Sequence, residues 1–236
     1  MQPNDPYNWT ELDYTDQTFD EQDLSEISFQ RCTFTRCRFL HTDLSEARAT
    51  RCQFEECDFT QARINSSHFT QCSFTGSTFT NTSLFTTRFD DCRMLGVTFV
   101  QADLTGITIT GGNWSYSSLR HQNLEGLDLH GIIFTEADLS HANLSKTDLR
   151  DTDLTKANLS GANLTEADLR GAHINATDLR GADIKGTKMD MMQAVHYTRC
   201  CGAIVERNRA RPSVFPIPYS LSPNSDIMYM IVTLFE

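Results

Sequence analysis

No proline occurs between residues 14 and 189, no lysine or arginine precedes Arg31, and the most apolar run, Met228 to Phe235, is only eight residues long. Each gap excludes something. A bilayer span needs roughly 20 consecutive apolar residues, so no segment qualifies. A secretory leader needs a basic start followed by an apolar stretch. Residues 1–23 run instead through Asn, Asp, Glu and Gln, which predicts a cytosolic chain. Cations are scarce overall: 20 Lys+Arg stand against 31 Asp+Glu in 236 residues, a net charge of −11. Holding phosphates takes a surplus of Lys and Arg to release counterions, so direct nucleic-acid binding is disfavoured while a basic partner stays open.

What the sequence has is a period. Every fifth residue from Tyr14 to Met189 is large and apolar, and of these 36 positions only Ala49 is not. With the large residue as i, position i−2 is small: Cys32, Cys37, Thr42, Ala47, Cys52 and Cys57, and later Ala157, Ala162 and Ala167. Positions i−1, i+1 and i+2 are mostly polar. Five steps of 100° would smear the apolar residue around a helix. In an extended segment i−2 and i share a side, and the polar residues then carry the chain around a corner. Four corners close a square coil of about 20 residues, and coils stacked at strand spacing form an all-β solenoid with a filled interior. Phe19, Phe39, Phe59, Phe79 and Phe99 then form one column and Leu24, Leu44, Ile64 and Leu84 another. About nine coils, roughly 43 Å long, are expected.

The irregular places carry expectations too. Gly112 precedes Trp114 at i−2 and vacates volume for the indole. Ala49 predicts a void or a neighbour leaning in. Between Ile107 and Ile132, the larger Gln122, Leu127 and Ile132 stand at i−2 where small side chains are the rule, which predicts distortion. The register never slips between 14 and 189, so no projecting loop interrupts the wall.

Glu136-Ala137-Asp138-Leu139-Ser140, Lys156-Ala157-Asn158-Leu159-Ser160 and Glu166-Ala167-Asp168-Leu169-Arg170 resemble the pentapeptide-repeat family, over about three quarters of the chain. The resemblance implies a right-handed quadrilateral β-helix. Residues 91–97 are similar to the albicidin-immunity type, and residues 178–194 with Gly202-Ala203-Ile204-Val205 to the last coil and C-terminal segment of the Qnr type. Those proteins protect bacterial DNA gyrase and topoisomerase IV from quinolones or peptide toxins. The resemblance thus implies a bacterial cytoplasmic protein of that function, partial mimicry of DNA, and a homodimer joined through a C-terminal helix and strand. The same wall would equally suit a protein-interaction scaffold or an effector with no topoisomerase role.

The expected organisation is an N-terminal cap at 1–11, the solenoid at 12–191, a helix and strand for dimerisation at 192–205 and a Pro-containing tail at 206–236. Met189, Met192, Val195 and Cys200 are candidates for the dimer contact. For a basic partner docking on the side, the column around Leu24, Leu44 and Leu124 is the most acidic, with Asp23, Glu26, Asp43, Glu46, Asp103, Glu125 and Glu166. Charge mimicry is limited: duplex DNA of the same length carries roughly 25 charges. Residues 1–30 hold eight acids and no base, but residues 31–189 hold 19 acids and 16 bases. Twelve acids occupy i−1, where Asp can hydrogen-bond the backbone at the corner. Six of the eight cysteines sit at i−2 and read as small core residues; a straight column does not supply tetrahedral zinc geometry. No catalytic constellation, cofactor loop or metal site is expected, so the chain reads as a binding protein and not an enzyme.

Overall fold

A computed structural model describes residues 6–206. Nine three-residue strands precede one helix: β1 (Asn8–Thr10), β2 (Asp13–Thr15), β3 (Ser28–Gln30), β4 (Thr33–Thr35), β5 (Arg48–Thr50), β6 (Gln53–Glu55), β7 (His68–Thr70), β8 (Arg88–Asp90), β9 (Thr108–Thr110) and α1 (Met191–Cys200). Every strand pairing is parallel and joins equivalent positions of successive coils: Trp9 faces Phe29, Phe34 faces Phe54, and Phe89 faces Ile109. One wall is the six-stranded ladder β1-β3-β5-β7-β8-β9 and the next is β2-β4-β6. Single parallel bridges extend the stacking to the other two walls, as in Asp23–Asp43 and Thr78–Thr98. The chain is a parallel β-solenoid.

Physical chemistry fixes each corner. Residue i+2 adopts a left-handed backbone, as at Glu26 (φ 57°) and Glu46 (φ 58°). At many corners the N–H of i+3 then bonds back to the carbonyl of i, as from Thr42 to Phe39, closing a turn. The Asp or Asn at i−1 accepts from the backbone N–H two positions on, as Asp58 does from Thr60 and Asp168 from Arg170. This is the corner role expected for the acids at i−1.

Inside, the columns stack at strand spacing. Phe39 and Phe59 lie 4.8 Å apart at 7°, Phe34 and Phe54 4.9 Å apart at 1°, and Phe79 and Phe99 5.2 Å apart at 14°. Beside Ala49, Phe54 packs edge-to-face with Phe29 and with Phe69, 6.2 and 6.4 Å away. The side chains at i−2 do more than fit. Thr42, Ser67, Thr82 and Thr87 each donate their hydroxyl to a carbonyl of the preceding coil, at 2.6–2.8 Å, tying one coil to the one before.

Two boundaries move. The expected cap at 1–11 already contains β1, with Trp9 buried in the core, because Trp9 continues the period one step before Tyr14. At the other end α1 starts at Met191, where Asp190 and Gln193 form a reciprocal capping box, and residues 201–206 form a turn and irregular backbone rather than a strand. Contacts divide the chain into Met1–Ile204 and Val205–Glu236. The Pro-containing tail beyond Glu206 lies outside the described residues.

The expected distortion is present and takes a definite form. Among the described residues, no backbone hydrogen bond joins 101–111 to 120–131, although such bonds link the neighbouring coils on both sides. The ladder closes again at the Asn113–Ile133 bridge.

Candidate partner-binding wall and C-terminal end

Of the seven acids expected on one wall, Asp23, Asp43 and Asp103 occupy one column of it. The i−1 column there runs Asp23, Asp43, Arg63, Ser83, Asp103, and Asn123, Asn143, Asn163, Asp183, with a break between Asp103 and Asn123. Glu26, Glu46 and Glu166 sit at the corner beside it and Glu125 follows Leu124. The acids are not a continuous stripe. Asp23, Glu26, Asp43 and Glu46 cluster in the first two coils, Asp103 stands alone, and Glu125 and Glu166 lie farther along.

Cations interrupt the wall in a way that residue counting did not show. Arg63 pairs with Asp43 at 2.6 Å and Lys146 with Glu125 at 2.9 Å, each from the next coil. The hydrogen bond from Lys146 holds the Glu125 carboxyl below its usual range. Similar coil-to-coil pairs join Arg31 to Glu11, Arg36 to Asp16 and Lys156 to Glu136. Within single corners, Arg170 reaches back to Asp168 and its hydrogen bond draws that carboxyl down to about 2. Exposed pairs of this kind contribute little to stability. Their effect is on the surface, which carries alternating charge and not the uniform field of a nucleic-acid backbone.

The C-terminal end is capped by its helix. The buried side chain of Gln193 donates to the carbonyls of Leu169 and Ala172 at 2.5 and 2.8 Å, and His196 Nε2 lies 3.0 Å from the Thr177 carbonyl. These carbonyls belong to the last coils, where no further coil follows to pair with them; that of Leu169 also accepts from the Ala172 N–H. Of the four residues expected at the dimer contact, Met189 packs against the chain's own core at the end of the Leu129–Leu149–Leu169 column. Met192 is 74% exposed, and Val195 and Cys200 are half-buried. Met191 and Ile204, which sequence reasoning did not single out, are the other large apolar side chains exposed at this end. Met192 and Val195 line a cavity of about 350 Å³ between α1 and residues 171–175.

The cysteine column behaves as core. Cys32, Cys37, Cys52, Cys57, Cys72 and Cys92 are buried and form no disulfide, and their thiols donate to carbonyls, as Cys72 does to Ala49 at 3.4 Å. The hydrogen bond to Cys52, together with burial, raises the Cys32 thiol well above its ordinary value. For Cys52 the bond with Cys32 acts in the opposite sense, but the bond with Cys72 and burial prevail and leave it at about 12. Cys37 is the exception, its thiol lowered to about 7 by the bond with Cys57. Because all six are buried, a thiol reagent at pH 8 should still titrate at most Cys200 and Cys201 in the folded protein and all eight cysteines after denaturation. Rapid reaction of a third thiol would contradict the packing of this column. Among the described residues no group of three or more His, Cys, Asp or Glu is placed to hold a metal ion, and no helix is long and apolar enough to cross a membrane.

Two family models cover this wall and core: pentapeptide repeats match residues 18–48, 115–151, 132–171 and 148–190, and a pentapeptide repeat region matches 48–132. The chain belongs to the pentapeptide-repeat family. Solved structures agree with that assignment. The pentapeptide-repeat chain is similar to two trypsin-treated variants of QnrB1, a plasmid-mediated fluoroquinolone resistance protein. Both are 26% identical, with TM-scores of 0.74 and 0.67, covering 84% of this chain and 100% and 99% of those chains. Full-length QnrB1 matches the same fold with TM-score 0.56 at 23% identity, over 81% of this chain and all of that one. No curated protein sequence matches.

Proposed function

We propose that this pentapeptide-repeat protein binds DNA gyrase or topoisomerase IV and protects it from a poison, either a quinolone or a peptide toxin of the albicidin type. The observation that carries the reading is the likeness to QnrB1, which extends over 84% of this chain and the whole of the trypsin-treated QnrB1 chain. The solid interior supports a binding role and not catalysis. The acting unit is a homodimer formed through the C-terminal end, where Met191, Met192 and Ile204 are exposed around α1.

Charge favours one mode of action within that reading. The acids Asp23, Glu26 and Glu46 face a basic partner near the N-terminal end, while Arg63 neutralises Asp43 and Lys146 neutralises Glu125. Mimicry of DNA is then mainly a matter of shape, reinforced at one end by charge. Expression in a susceptible bacterial host is expected to raise tolerance to a fluoroquinolone or to albicidin, and the purified protein to restore gyrase supercoiling in the presence of the same drug. If neither changes, the wall serves as an interaction scaffold instead. Deletion of residues 190–236 should turn the dimer into a monomer in sedimentation; an unchanged mass would place the dimer contact elsewhere.

A further inference from the structure

The opening in the ladder coincides with large side chains at three successive i−2 positions. Gln122 and Leu127 lie within the opening and Ile132 stands at its far edge, where the Asn113–Ile133 bridge closes the ladder again. Bulk at i−2 alone does not open it, since the ladder is closed beside Val97 and Ile107. Gln122 is fitted to the wider gap: its amide reaches the Phe99 carbonyl at 2.6 Å, making the same coil-to-coil tie that Thr42 and Thr82 make with a much shorter hydroxyl. Closed contacts bound the opening on both sides, the Phe99 N–H bonding to Ser118 at 3.0 Å before it and the Asn113–Ile133 bridge following it.

The two lips are sheet edges facing each other. Among the described residues the N–H groups of Leu104, Gly106, Ile109 and Gly111 on one lip, and of Asn123 and Asp128 on the other, have no backbone partner. Between them lies a cavity of about 390 Å³ whose lining includes Ile107, Ile109, Leu127, Asp128 and His130. Its surroundings are acidic. Asp128 lines it, Asp91 sits against Gly111, and Asp103 lies on the lip. Unpaired strand edges bind extended chain by backbone hydrogen bonding.

We propose that the opening between 101–111 and 120–131 is an acceptor site for an extended, basic segment of a partner protein. The segment pairs through its backbone with a lip, sets an apolar side chain against the half-buried Leu127, and directs lysine or arginine to Asp91, Asp103 and Asp128. This inference does not depend on the partner being a topoisomerase.

The test uses the full chain and an octapeptide of alternating valine and lysine. In the free protein, hydrogen exchange at Leu104, Gly106, Ile109, Asn123 and Asp128 should be faster than at the equivalent amides one coil below, and the peptide should protect them. Methylating alternate peptide nitrogens, or replacing its lysines by glutamate, should each weaken binding by about tenfold or more. The variant Q122T/L127A makes i−2 small again at two of the three positions, so it should close the ladder, slow exchange at these amides and weaken the peptide about tenfold, with its circular dichroism unchanged. Slow exchange in the free protein would overturn the proposal at its first step. Fast exchange with no peptide binding, or with binding indifferent to N-methylation or to closure, would show a hinge and overturn the acceptor site.

Discussion

Leu144→Asp should remove the solenoid structure of several coils, whereas Lys156→Ala should leave it nearly intact. Leu144 is fully buried, stacked between Leu124 and Leu164, with its neighbours holding the coil on both sides. Truncating such a leucine costs about 2–5 kcal/mol through lost transfer energy and the cavity left behind. A carboxylate placed there adds several kcal/mol, because the filled interior offers it no cation and no water. Together these rival the whole stability of a typical domain, about 5–15 kcal/mol. A solenoid is stabilised coil by coil through nearest neighbours, so the damage spreads along the axis and need not be global. Limited proteolysis is expected to cut near residues 124–164 and to leave an N-terminal fragment containing the aromatic columns. Lys156 is a corner residue whose ammonium pairs with Glu136 at 2.9 Å while 60% exposed, and Ala176 already occupies the equivalent corner one coil later with φ 56°. Water and salt screen such a pair, so its loss should leave the melting temperature almost unchanged. Equal melting temperatures for the two variants would mean that the column is not the core.

The fold was legible because its determinant is a short period. A large residue every fifth position and a small one two before it define which side chains point inward, and closure of the coil follows from four corners. Phe79 over Phe99 was readable in this way, as were the corner role of the acids at i−1 and the burial of the cysteines. Trp9 obeys the same period one step before Tyr14 and stacks on the Phe29 position. Other features are not properties of one coil. That Thr42 bonds Phe19, that Arg63 neutralises Asp43, and that Gln193 caps Leu169 and Ala172 depend on which coil lies next and on side-chain reach. The pattern placed the acids on one wall but could not show their interruption by cations from neighbouring coils. Large side chains at i−2 signalled distortion between Ile107 and Ile132. Its form, two unpaired edges facing each other, required the backbone positions.

Gly112→Ala should be the most destabilising single-methyl change in the chain's described glycines, and Gly126→Ala is its control. Gly112 occupies i−2 ahead of Trp114 with φ 95°, a conformation that carries strain for any residue with a side chain. Space is also lacking: an added Cβ would collide with the Cys92 carbonyl oxygen and sit 3.0 Å from the Cys92 nitrogen. The obstacle is backbone of the preceding coil, which cannot turn aside as a side chain can, so the coils must separate or the corner must unwind. The expected loss is about 3 kcal/mol or more, a drop in melting temperature of roughly 6–12 °C. At Gly126 an added Cβ meets nothing within 4 Å, and the same corner of neighbouring coils carries Lys146 and Glu166 at φ 58° and 61°. Alanine there should cost only about 1 kcal/mol. Fluorescence separates the two. Trp114 is fully buried and stacks on Phe99 at 5.8 Å, so moving its corner should shift emission to the red in G112A and leave G126A unchanged. The room that Gly112 leaves is taken by the Cys92 backbone and not, as the sequence suggests, by the indole of Trp114. If G112A melts with the wild type and keeps its emission, the corner tolerates a side chain against that backbone and the steric account of Gly112 fails.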